Sequence, residues 1–208
     1  MVVFLGDVGR DIPESEHSYW RSFNIVPSGP LSSTAFRRSF LCEFTNPRRR
    51  DLLFKQQFTE LNRKWREKNG WFLFKPLSEA DQHCFVSLRT PATDEQTEFD
   101  TQVMYLAKVL VDSLNESELS KCISIDPDEK GISKFESYLR AKKATECLVY
   151  VEILKDIQAL RSSGAAHRKS TKYGKVAARL GLRDNDRRCV FDMLIGRAID
   201  LLAALASV

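Results

Sequence analysis

From Phe99 onward, apolar residues recur at three- and four-residue intervals over long stretches, and this periodicity limits the chain to amphipathic helices more firmly than any other feature. Phe99, Val103, Leu106, Leu110 and Leu114 form one stripe, widened by Met104, Ala107 and Val111. Thr93 followed by Gln96 predicts a capping box at its start. A second long helix is expected from about Ser133 to Leu160, with Phe135, Leu139, Leu148, Val151, Leu154 and Ile157 facing inward. A shorter helix from Tyr173 to Leu180 should end at Gly181, and Val190, Leu194, Ala198, Leu201 and Leu205 give the last helix a continuous seam. Stripes of this kind must be buried against one another, so the C-terminal part reads as a helical bundle.

The upstream pattern is more varied. Phe54, Phe58, Leu61 and Trp65 predict a helix over Asp51 to Lys68, stopped by a left-handed cap at Asn69-Gly70. Residues 13 to 23 predict a short helix with Tyr19, Trp20 and Phe23 inward, and Phe36, Phe40 and Phe44 predict another. Trp71 to Phe74 and Cys84 to Leu88 are short aromatic or β-branched runs between breakers, which suits two strands of a small ribbon. The expected fold is mainly α: a helical bundle over 93–208, preceded by a mixed helical region over 1–92 that carries a short β-ribbon, with the boundary near Pro91.

Composition excludes several classes. With 208 residues, 43% of them apolar, the chain can bury a core without disulfide or metal staples. No apolar run is long enough for a membrane helix, and Met1 to Asp7 lacks the features of a secretory leader, so no membrane partner and a cytoplasmic location are expected. Cys42, Cys84, Cys122, Cys147 and Cys189 are odd in number and scattered, which suggests neither a disulfide framework nor a zinc site. Asp126 to Gly131 imitates the start of a calcium loop, but Lys130 supplies no ligand and Ser137 stands where a bidentate Glu is needed. No metal or other cofactor is expected.

Charge supplies the functional signal. The net charge is +4, yet Arg161 to Arg183 alone holds seven basic residues and no acidic one, leaving −3 for the rest. A local field of one sign attracts polyanions. Val176 to Leu182 has the form of a first helix and turn of a DNA-binding helix-turn-helix, but the following helix carries a core-like seam ending in Leu201, Leu202 and Leu205, where a recognition helix needs a polar face.

Within this basic stretch, Arg161-Ser162-Ser163-Gly164-Ala165-Ala166-His167 places an arginine and a histidine five residues apart. The pattern resembles the R-x(4–6)-H signature of HEPN domains, which are helical bundles found in RNA-cleaving toxins and defence proteins. The resemblance covers roughly residues 94–208. It implies that Arg161 and His167 form a catalytic pair at a homodimer interface, cleaving RNA without metal through the ribose 2′-hydroxyl. Arg168, Lys169, Lys172 and Lys175 would hold the RNA backbone. Imidazole moves protons near neutral pH, and a guanidinium, always charged, can stabilise negative charge growing on phosphorus. Ser162 departs from the Asn, Asp or His that often follows the arginine in active members. The alternative for the same residues is structural: Arg161 compensates a helix C-terminus, Gly164 turns the chain and His167 caps or packs at a bundle corner.

The N-terminal block from His17–Asn24 through Gly70–Phe74 also resembles a segment of large uncharacterised bacterial proteins, and Trp20, Trp65 and Trp71 make this half rich in aromatics. A non-catalytic interaction or dimerisation module within a larger assembly is therefore the second expectation.

Overall fold

The three- and four-residue spacing is realised as helices whose stripes are buried on one another. The computed structural model describes residues 9–23, 25, 36–37, 40–42, 49–122, 129, 131–162, 171–182 and 186–208. The chain divides into two units, Met1–Thr45 and Asn46–Val208.

In the first unit, α1 spans Glu14–Ser22 and buries no residue. Tyr19 and Phe23 were expected to face inward, but both are exposed, with Tyr19 packed edge-on against Trp20 and Phe23. Three aromatics on so short a helix satisfy one another locally. Phe36 stacks on Phe40, both rings exposed; of the helix expected over Phe36 to Phe44, residues 40–42 are not helical, with Cys42 at a φ of 52°, and residues 38, 39, 43 and 44 lie outside the described residues.

The second unit begins with α2, Arg50–Asn69, which buries Phe54, Leu61 and Trp65 and ends at Gly70 with φ of 81°. The positive φ is the left-handed cap that the Asn-Gly pair predicts. Helix α2 packs along the last helix, α9, Arg187–Leu205. Although α2 precedes Pro91, it therefore shares a core with the helices that follow. Gly196 of α9 gives α2 room: a Cβ there would lie 3.2 Å from the Arg50 guanidinium, which pairs with Asp192 at 2.9 Å.

No strand occurs among the described residues, which corrects the β-ribbon. Phe74 forms one isolated antiparallel bridge with Leu114; Lys75 N–H donates to Ser113 O at 2.6 Å, and Asn115 N–H donates to Leu73 O at 2.9 Å. The second run is helical instead, as α3, Gln82–Val86, entered through a 3-10 turn over Glu79–Asp81. Ser78 Oγ donates to Asp81 Oδ2 at 3.0 Å across this entry turn, and so short a run carries too weak a strand preference to override its surroundings.

Helix α4, Gln96–Ala107, continues as a π-turn over Lys108–Asp112. Phe99, Val103, Leu106, Leu110 and Leu114 are buried as their spacing requires, with Ala107 and Val111, whereas Met104 is exposed. The cap differs from the expected Thr93/Gln96 box. Glu98, not Gln96, reaches back to accept the N–H groups of Ala92 and Thr93, each at 2.9 Å.

After α5, Glu116–Cys122, the helix expected to run unbroken to Leu160 is two: α6, Ile132–Ala141, and α7, Leu148–Leu160. The break is a left-handed Lys143, φ 60°, with Ala144 N–H donating to Leu139 O at 2.9 Å and Ala144 buried. This is a Schellman-type stop without a glycine, which explains why the periodicity hides it. Helix α8, Thr171–Arg179, leads to a left-handed Gly181.

Helix α9 buries Val190, Phe191, Leu194, Ile195, Ala198, Leu201, Leu202 and Leu205, a face wide enough to pack on both α2 and α7. Burying each large side chain contributes about 1.5–3 kcal/mol, and with its seam committed to the core α9 is no groove-reading helix. Trp65 is buried, with its ring 5.7 Å from that of Trp71 and 6.2 Å from that of Tyr138, and Trp71 is half-buried against the core.

Candidate functional site

Arg161 lies where α7 ends. Residues 161 and 162 prolong that helix in a wide turn, and Ser162 Oγ donates back to Gln158 O at 2.6 Å. The buried stripe Ile153, Leu154, Ile157 and Leu160 fixes the rotation of α7 and so turns the Arg161 side chain toward the π-turn of α4. There its Nη1 donates to Asp112 Oδ1. The pair is partly open to solvent, with 26% of the Arg161 side chain and 36% of the Asp112 side chain exposed.

Asp112 has a firm mount. Val109, Leu110 and Val111 before it are buried, Ser113 Oγ donates to Val109 O, and the bonds from Lys75 and Asn115 clamp the chain just after it. Asp112 also lines a cleft of about 490 Å³ together with Val111, Glu116, Ile132, Lys155 and Gln158. Lys155 is held by Glu136 at 2.7 Å and Glu152 at 2.9 Å, and these bonds, with the Glu136 bond first, raise its pKa.

The other residues expected at the site divide into two groups. His167, Arg168 and Lys169 lie outside the described residues. Lys172 and Lys175 are on α8, where Lys175 is exposed and makes no ion pair with a described residue; the side chain of Lys172 is not among those described.

The basic stretch is less positive than its composition implies, because acids outside it reach in. Arg179 is paired with Asp156 of α7, which also receives Arg197 of α9 at 2.8 Å. Asp156 is 2% exposed and edges a cavity of about 310 Å³ lined by Glu152, Arg179, Leu180, Met193 and Arg197. With Asp112 on Arg161, two of the seven cations are locally neutralised. Asp156 ties α8 to α7 and α9, while Tyr173, buried on α8, meets Gln96 Nε2 at 3.4 Å. The helices on both sides of residues 163–170 are thus anchored to the bundle.

Neither Asp112 nor Asp156 is among the residues expected from the sequence. Asp156 left a signal, since it sits three residues after Ile153 and four before Leu160, on the buried stripe. Asp112 left none, because the π-turn shifts its phase. Outside this region, His83 Nδ1 donates to Ala80 O at 2.8 Å, and burial pushes the Cys84 thiol up, away from nucleophile character. Among the described residues no group of three or more His, Cys, Asp or Glu could hold a metal ion, and no helix is long and apolar enough to cross a membrane.

No family model matches the chain, and no curated protein or solved structure resembles it at a significant level.

Proposed function

We propose that the helical unit is an RNA-directed domain of the HEPN type, acting in defence or toxicity as a metal-independent endoribonuclease. The observation that carries the reading is the placement of Arg161: a half-open guanidinium at the end of a bundle helix, held by Asp112, at the head of a stretch with no acidic residue of its own. In the reaction, the ribose 2′-oxygen attacks the adjacent phosphorus as its proton leaves, the bond to the 5′-oxygen breaks, and the products are a 2′,3′-cyclic phosphate and a 5′-hydroxyl. His167 would carry the proton, and Arg161 would stabilise charge on the phosphoryl oxygens. Arg168, Lys169, Lys172 and Lys175 would bind the RNA backbone, with the active unit a homodimer.

The test is RNA cleavage in EDTA by the wild type beside Arg161→Ala and His167→Ala, with folding followed by circular dichroism. The expected result is cleavage by the wild type and none by either folded variant. A folded, dimeric wild type that leaves RNA intact overturns the enzyme.

One observation favours a second reading, a protein-interaction or dimerisation module: the exposed rings of Tyr19, Phe23, Phe36 and Phe40 in the first unit. Exposed aromatics are enriched at interfaces. Under this reading, replacing Tyr19, Phe23 and Phe40 with serine lowers the molar mass measured by light scattering and leaves RNA cleavage unchanged.

A further inference from the structure

The Arg161–Asp112 pair has an asymmetry that bears on chemistry. Asp112 engages only Nη1, leaving Nε and Nη2 of Arg161 without a bond to any described residue. These two nitrogens form one edge of the guanidinium, with parallel N–H groups spaced to grip two oxygens of a phosphate. The held nitrogen is on the opposite side. A carboxylate there fixes the plane and rotation of the guanidinium while its phosphate-matching edge is bonded to none of the described residues.

The mounting of Asp112 fits that task better than it fits stabilisation. A partly exposed ion pair contributes little to folding. Here, however, the carboxylate stands on a π-turn whose preceding residues are buried and whose following residues are clamped to the segment Leu73 to Lys75. π-turns interrupt the α-helical ladder, and they occur often at functional positions.

We propose that Asp112 is a positioning residue: it holds Arg161 so that the Nε/Nη2 edge receives two oxygens of a single phosphodiester of RNA, the one undergoing cleavage. This rests on the ribonuclease reading above. It assigns Asp112 no contact with substrate and no proton transfer; its effect passes through the orientation of Arg161.

The test compares Asp112→Asn, Asp112→Glu and the exchanged pair Asp112→Arg with Arg161→Asp. Each is measured for kcat and KM on a single-stranded RNA oligonucleotide in EDTA, and for its urea midpoint. Asp112→Asn should lower kcat by about 10²-fold, the scale of a small misplacement, with little change in KM. Asp112→Glu should keep the midpoint and lose part of kcat. The exchanged pair should recover the midpoint without recovering kcat, because the ion pair returns while the guanidinium stands on the wrong helix. If Asp112→Asn does not fold, Asp112→Glu decides. Wild-type kcat in a folded Asp112→Asn or Asp112→Glu variant, with Arg161→Ala inactive, overturns the positioning role alone. A folded wild type that cleaves no RNA overturns the ribonuclease reading, and the role of Asp112 falls with it.

Discussion

The Asp94 carboxylate accepts the backbone N–H of Arg188 at 2.9 Å, capping α9 from a residue 94 positions earlier in the chain. Around this bond, Arg187 donates to the Gln96 side-chain oxygen at 3.0 Å and to Asp94 O at 2.7 Å, and Arg188 Nε donates to Pro91 O at 3.2 Å. The connection that leads into α4 is therefore also the N-terminal cap of α9. Asp94→Ala should lower stability by about 1 kcal/mol, the usual value of such a cap, while Asp94→Asn retains most of it. Urea denaturation measures both. Equal midpoints for the alanine variant and the wild type would show that water serves Arg188 equally well.

Asp156 predicts non-additive behaviour. It is buried between Arg179 and Arg197, whose side chains reach solvent, so either arginine can leave while the other keeps the carboxylate paired. Arg179→Ala and Arg197→Ala should each cost about 1 kcal/mol, whereas the double variant strands a buried charge and should cost about 3–5 kcal/mol. A double-mutant cycle in which the two losses simply add would show that Asp156 finds water when its partners go.

Lys143 holds a left-handed backbone, φ 60°, at the end of α6. That conformation penalises any residue with a Cβ, and the side chain of Lys143 is exposed. Lys143→Gly should therefore stabilise the protein by about 0.5 kcal/mol despite the added freedom of the unfolded chain. A lower thermal midpoint in the glycine variant would indicate that the lysine side chain contributes more than its backbone loses.

Glu98 sets a pH dependence. Its carboxylate accepts the Ala92 N–H, the Thr93 hydroxyl and the Thr93 N–H, and it pairs with Arg89 at 2.6 Å. These bonds, the Ala92 N–H first, hold its pKa at about 2 instead of the ordinary 4.5. A depressed folded pKa means that the contribution is complete above pH 4.5 and is lost as pH falls toward about 2. Replacing Glu98 with Gln should flatten the fall in unfolding free energy across that window. An unchanged slope would place the acid sensitivity on other carboxylates.

What could be read in advance follows the physics of each element. The stripes of α2, α4 and α9 were legible because burial repeats with the helical period. The stop at Gly70 was legible because glycine marks left-handed backbone, while the equivalent stop at Lys143 was hidden because lysine does not. The run Cys84 to Leu88 misled because five residues are too few for a period to show. At the site, Arg161 stood out by charge and spacing, but its partner Asp112 comes from 49 residues away, beyond what local pattern encodes.

The π-turn at Lys108–Asp112 gives the count of residues along α4 a meaning of its own. A wide turn accommodates one residue more than the ladder needs, so deleting a single residue there lets the helix close into regular α geometry. The side chains beyond then keep nearly the same rotation about the axis, because the wide turn already absorbs the extra residue, whereas one residue removed from the α-helical part before it swings every later side chain by about 100°, one α-helical step. Asp112 would then leave Arg161, and the Leu114 bridge to Phe74 would lose register. A chain built this way takes a one-residue change of length in that turn better than in the regular helix before it.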